Sequence, residues 1–221
     1  QRLFPNGENA TDIVLVLLAD GTAVQNLEEL FQYILQRNVS WLEANICRIT
    51  PDMIVSYRYS EKMRLKIIAA LNENRVEIFL QPIYSLRNNK FTSAEALVRI
   101  RELDGSVILP NEFIPIAEEA RLIKTLGERI FDMSCKFLNK QVKENLPLDY
   151  LEINLSVVQC EQNDLSKRFI DIIEKYRLPP SMINLEITET ASIRTKQRLL
   201  ENMAQLISYG SSFSLDDFGS G

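Results

Sequence analysis

The sequence predicts an α/β fold built around a largely parallel sheet, and three observations carry that prediction. From residue 76 onward, short apolar runs of strand length alternate with longer segments of helical periodicity. The alternation repeats at about one strand–helix unit, with 32 residues from Asn154 to Glu186 and 30 from Glu186 to Asp216. Polar side chains recur at matching ends of those apolar runs. In a barrel of parallel strands, those ends converge on one face and supply the catalytic groups.

Taken in order, residues 1–59 read as a small α+β segment with a different rhythm. Residues 13–18 form a candidate buried strand, 27–37 an amphipathic helix, and 46–49 and 53–57 two short strands. Met63, Ile67, Ile68 and Leu71 recur at helical spacing, so residues 60–75 read as a connecting helix. Residues 76–221 then carry strands at 76–82, 94–100, 150–156, 183–188 and 213–217. Between them run apolar stripes: Phe113, Ile116 and Ala117; Ile130, Met133 and Phe137; Phe169, Ile172 and Ile173; Leu199, Met203 and Leu206. Each stripe is expected to pack on the sheet and not to hold a cofactor. An eight-stranded (β/α)8 barrel takes about 250 residues. Five strands are therefore expected to be an incomplete TIM-type barrel, truncated after its fifth strand, in a chain that is part of a longer parent.

Composition removes several mechanisms. Histidine is absent, which excludes a Ser-His-Asp or Cys-His nucleophile, a His general base, a His-ligated zinc and an axial haem His. Acidic residues outnumber basic ones by 30 to 25 and the pI is about 5.0, so DNA is not an expected partner. Cys47, Cys135 and Cys160 are widely spaced with no C-x-x-C pair, as in a reduced cytoplasmic protein. The longest apolar run, residues 13–19, falls well short of the roughly 20 residues of a membrane-spanning helix. No membrane segment is expected in this chain, whether it is free in the cytoplasm or the cytoplasmic part of a longer membrane-anchored protein. No glycine-rich phosphate loop is present.

The chemistry lies in polar residues inside apolar strands: Glu95, Glu152 and Asn154, Glu186, and Asp216 with Asp217. Taken singly, each reads equally as a solvated strand-edge charge. Together, at ends one βα period apart, they form a candidate metal site, because a buried carboxylate is costly unless paired or metal-bound. Carboxylates and an amide oxygen are hard ligands that suit Mg²⁺, Mn²⁺ or Ca²⁺ and not zinc or copper. Adjacent Asp216 and Asp217 can serve two neighbouring cations, the usual device for attacking a phosphodiester with water. Arg99, four residues beyond Glu95, can hold a phosphate in its guanidinium fork, or can be a plain surface arginine.

Six motifs then fall in register. Gln81-Pro82-Ile83, Glu95-Ala96-Leu97-Val98-Arg99, Pro110-x-x-Phe113-Ile114-x-x-Ala117-Glu118, Asn154-Leu155-Ser156, Leu185-Glu186-Ile187-Thr188-Glu189 and Asp216-Asp217-Phe218-Gly219 resemble the EAL domain of cyclic diguanylate phosphodiesterases, in that family's order and spacing. The resemblance implies a (β/α)8 barrel with one reversed strand. It implies Mg²⁺- or Mn²⁺-dependent hydrolysis of cyclic diguanylate to the linear dinucleotide in bacterial second-messenger signalling, by a homodimer formed through the EAL domain. Position by position, Glu95, Asn154, Glu186 and Asp216 match the family's metal ligands and Asp217 its second-metal ligand. Gln81 and Arg99 match its substrate contacts, and Glu189 the glutamate bracing the loop after the paired aspartates. A water-activating lysine, a further metal-binding glutamate and a substrate-binding glutamine are expected beyond Gly221. Two positions depart from the pattern: Ile100 stands where an aromatic is usual and Arg121 where a glycine is usual. Residues 1–59 resemble, by position and by the Tyr59–Met63 junction, the end of a degenerate GGDEF-like domain. The alternative reading is a catalytically inactive EAL-like module that binds cyclic diguanylate or a protein partner.

Overall fold

The computed structural model describes residues 14–16, 42–43, 46–48, 50–146, 148–188 and 197–216. The chain divides into two units, Gln1–Met63 and Arg64–Gly221. In the first, β1 (Val14–Val16), β2 (Leu42–Glu43) and β3 (Ile46–Arg48) form a small sheet in the order β1-β3-β2. β1 runs parallel to β3 and β2 antiparallel to it. The helix expected at 27–37 lies outside the described residues.

The strand expected at 53–57 is wrong. Those residues belong to a long helix, α1 (Pro51–Asn72). Its start is written in the sequence: the Thr50 hydroxyl accepts from the Met53 N–H at 3.4 Å, proline follows at the first helical position and Asp52 sits in the first turn. A three-residue apolar run cannot by itself distinguish a strand from a buried helical turn.

The second unit runs β4 (Val76–Ser85), β5 (Lys90–Arg101), β6 (Val107–Ile108), α2 (Pro110–Glu119), α3 (Ile123–Lys143), β7 (Leu151–Asn154), α4 (Val157–Cys160), α5 (Leu165–Tyr176), β8 (Ile183–Thr188), α6 (Gln197–Tyr209) and β9 (Ser212–Asp216). Its sheet has the order β4-β5-β7-β8-β9, with the short β6 also on β5. β4 is antiparallel to β5, and β5, β7, β8 and β9 are mutually parallel. The reversed strand is therefore the first.

Side chains alternate across the strands, and the two faces differ sharply. Ala94, Ala96, Val98 and Ile100 of β5, Leu151 and Ile153 of β7, and Ile183, Leu185 and Ile187 of β8 are all buried. Helices cover that face, with α3 against β4 and β7 and α6 against β9. Between α3 and α5 the rings of Phe131 and Phe169 stack at 3.8 Å with their planes 7° apart, and both are fully buried. Each such ring contributes roughly 1.5–3 kcal/mol of burial free energy. The opposite face carries the interleaved residues, most of them polar.

Five helices end on a residue with positive φ: Asn74, Arg121, Asn145, Arg177 and Gly210. After α2, the Leu122 N–H donates to the Ala117 carbonyl at 2.8 Å and the Arg121 N–H to Glu118 at 3.1 Å. After α5 the same pair recurs, Leu178 to Ile173 at 3.2 Å and Arg177 to Glu174 at 2.9 Å. These are Schellman closures, and the left-handed residue in them is usually glycine. Arg121, with φ 57°, adopts the conformation that explains why a glycine is the expected residue there.

Candidate functional site

The register sets which polar side chains meet. On the opposite face, Glu95 is level with Glu152, Asn154 with Glu186, and Glu186 with Ser214. Because barrel strands tilt, side chains from alternate strands form layers. Glu95 and Glu186 share one layer, and Asn154 and Asp216 share the next. Glu152 and Ser214 share the layer beneath. Asn154 Nδ2 donates to Glu95 Oε1 at 2.7 Å, which leaves the Asn154 amide oxygen as a donor atom for a cation.

The turn that follows Asn154 at the end of β7 is braced from three sides. Ser156 caps α4: its Oγ accepts from the Val158 N–H at 3.2 Å, and its own N–H donates to Gln159 Oε1 at 3.2 Å. This reciprocal arrangement is a capping box. The Ser156 hydroxyl also donates to Glu118 Oε1 on α2. Gln159, buried, lies against Gly127 of α3 so closely that a Cβ there would fall 1.7 Å from its Nε2. A side chain at 127 would therefore force Gln159 to move. Glu118 and Gln159 were not among the residues expected at the site. Ser156-x-x-Gln159 is the signal that points to the second.

Glu95, Asn154, Glu186 and Asp216 line one cavity of about 600 Å³. Glu118 and Ser156 join them, and Ile114, Pro115, Ile123 and Ile130 form an apolar wall. Gln81 on β4 is the direct cross-strand partner of Glu95. Arg99 is not brought in. It shares the face of Glu95, but its guanidinium donates to the Val98 carbonyl at 2.8 Å and stands 5.5 Å from the Phe79 ring centroid. Asp217 and Glu189 lie outside the described residues. Among the described residues, no three Asp, Glu, Cys or His side chains stand close enough to hold a metal ion by themselves. The four candidates surround a space and do not meet at a point, and one of them is an amide.

The donor set is all oxygen, which fits a hard divalent cation. No thiol competes. Cys135 and Cys160 are buried, and burial pushes both thiols up to about 12, so neither is a nucleophile at neutral pH. Among the described residues no helix is long and apolar enough to cross a membrane.

Comparison with known proteins agrees with this geometry. Residues 65–221 match the EAL domain family. The signaling protein YkoW of Bacillus subtilis is 34% identical over 152 residues, covering 69% of this chain and 19% of that protein. The cyclic di-GMP phosphodiesterase PdeB of Shewanella oneidensis is 31% identical over 166 residues, covering 74% of this chain and 19% of that one. The chain thus spans about a fifth of the length of these curated relatives. Among solved structures, the PaMucR phosphodiesterase in complex with c-di-GMP superposes with a TM-score of 0.68 at 28% identity, covering 72% of this chain and 65% of that one. The fold is of the TIM-barrel class, with β4 as its reversed strand and β5, β7, β8 and β9 as parallel staves.

Proposed function

The chain belongs to the EAL domain family, and from that premise we propose that the whole protein hydrolyses cyclic diguanylate to the linear dinucleotide with the help of divalent cations. One observation carries the proposal: Glu95, Asn154, Glu186 and Asp216, from four different strands, line a single cavity. The relatives support it, since PdeB is named for this activity and PaMucR was solved with this nucleotide.

In this reading Glu95, Asn154, Glu186 and Asp216 hold Mg²⁺ or Mn²⁺, and Asp217 reaches a second ion. Bound there, the cations would supply Lewis-acid polarisation of the phosphodiester and a water of lowered pKa. Asn154, by donating to Glu95, fixes the carboxylate's orientation and turns its own oxygen inward. Gln81, opposite Glu95, contacts the substrate edge. Arg99 leaves Phe79 to clamp a phosphate, a contact made only when substrate is present. Glu189 braces the loop after Asp217. The α+β piece of residues 1–59 is a unit separate from the barrel of residues 76–221, and α1 (Pro51–Asn72) is the stretch of chain that connects them. The same reading carries a homodimer through this domain and a cytoplasmic location.

The test is turnover of cyclic diguanylate by the whole protein with Mn²⁺ or Mg²⁺ and with excess EDTA. Linear dinucleotide forming only with metal is the expected result. Tight binding of the nucleotide with no turnover in either metal would replace this function with that of a binding module.

A further inference from the structure

One layer below Glu95 and Glu186 lies a closed set of hydrogen bonds that the candidate ligands do not use. Asn184 Nδ2 donates to Glu152 Oε1 at 2.6 Å and to Ser214 Oγ at 2.9 Å. The Ser214 hydroxyl in turn donates to the same Glu152 oxygen at 2.7 Å. Both amide protons and the hydroxyl proton are consumed, and two of the three donations end on Glu152. The trio spans β7, β8 and β9, the strands that carry Asn154, Glu186 and Asp216.

Glu152 is also level with Glu95 on the neighbouring parallel strand, where Cα atoms lie roughly 5 Å apart. Two carboxylates side by side on one face repel unless a cation is near both. The donors that hold Glu152 are neutral, so they fix its position without cancelling its charge.

We infer that Glu152 is a positioning residue for the divalent site: it sets fixed negative charge behind Glu95 and Glu186 and, with Asn184 and Ser214, ties β7, β8 and β9 at the spacing that presents their ligands. The inference rests on the metal-site reading above. Glu152 ligates no cation itself; it acts as outer carboxylates do when they hold and polarise a metal's direct ligands.

The test compares Glu152→Gln with Glu152→Asp in the whole protein. Glu152→Gln keeps an oxygen to accept from Asn184 and Ser214 but loses the charge, whereas Glu152→Asp keeps the charge and loses the reach. Mn²⁺ binding is measured by calorimetry and by the electron paramagnetic resonance signal of free Mn²⁺. Nucleotide binding in EDTA and thermal unfolding serve as controls. Glu152→Gln is expected to weaken Mn²⁺ binding about tenfold, with nucleotide binding in EDTA unchanged. Glu152→Asp, which keeps the charge but loses the tie to Asn184 and Ser214, is expected to weaken Mn²⁺ binding about threefold. This arm decides the matter if Glu152→Gln fails to fold, since wild-type affinity there overturns the inference. Unchanged Mn²⁺ affinity in a folded Glu152→Gln protein overturns the inference alone, as does a tenfold loss in Glu152→Asp. Wild-type protein that binds no Mn²⁺ overturns both the inference and the function it rests on.

Discussion

Leu151 and Ile153 are buried on one face of β7, while Glu152 and Asn154, interleaved with them, stand on the other. The two faces share every backbone hydrogen bond, yet they do different work. The covered face contributes burial, which depends on volume and shape and is spread over many side chains. The open face contributes placed charge, which depends on a few atoms and is lost whole when one is removed. Substitutions should therefore divide by face: those on the open side should change chemistry at nearly constant stability, and those under the helices should change stability first.

The largest expected effect is on the open face. Glu95→Ala in the whole protein should lower the rate of cyclic diguanylate hydrolysis by on the order of a thousandfold, with the thermal midpoint little changed. Full activity in a purified, folded variant would sink the assignment and the contrast between faces together. Under the helices, Phe131→Ala removes half of a stacked pair and should cost about 3–5 kcal/mol in denaturant unfolding. A loss below about 1 kcal/mol would mean that the α3–α5 seam repacks freely.

Gly127→Ala sharpens the comparison, because Gln159, which it meets, caps the turn that follows Asn154. The new methyl meets Gln159, so a loss of roughly 1–3 kcal/mol is expected. The double variant Gly127→Ala, Gln159→Ala should lose less than the two single losses added. Simple additivity would show that Gln159 does not press on Gly127. The smallest effect is a gain. Arg121→Gly relieves a left-handed residue and should raise stability by about 1 kcal/mol, read as a higher unfolding midpoint with hydrolysis unaltered.

Much of this could be read from the chain. Five of the six strands of the second unit were legible, because alternation and βα spacing survive in one dimension. A reversed strand was legible only through the family resemblance, which did not say that it is the first. Three features were not. The Thr50-Pro51-Asp52 helix start was masked by the Met53-Ile54-Val55 run, whose residue types suit a strand. Arg99 reads as a phosphate holder because it lies four residues beyond Glu95, near the same strand end. Along a strand those four residues span about 13 Å, which puts the guanidinium over Phe79. Glu118 and Glu152 find their partners 38 residues away in Ser156 and 32 and 62 residues away in Asn184 and Ser214. No local pattern encodes such a meeting; only the strand register does.

The Glu152–Asn184–Ser214 trio has a consequence for how the sheet assembles. β7 is four residues long, and a strand so short can pair at the wrong offset while the chain collapses. A slip by one residue is self-correcting, since it would drive Glu152 and Asn154 under α3 and turn Leu151 and Ile153 out to water. A slip by two is the dangerous error, because every apolar residue still faces inward and burial cannot detect it. The trio can detect it: moved by two positions, Glu152 loses Asn184 and Ser214 at once, and their donors are left facing the wrong side chains. Those three hydrogen bonds thus favour the native offset over an even slip that hydrophobicity lets through.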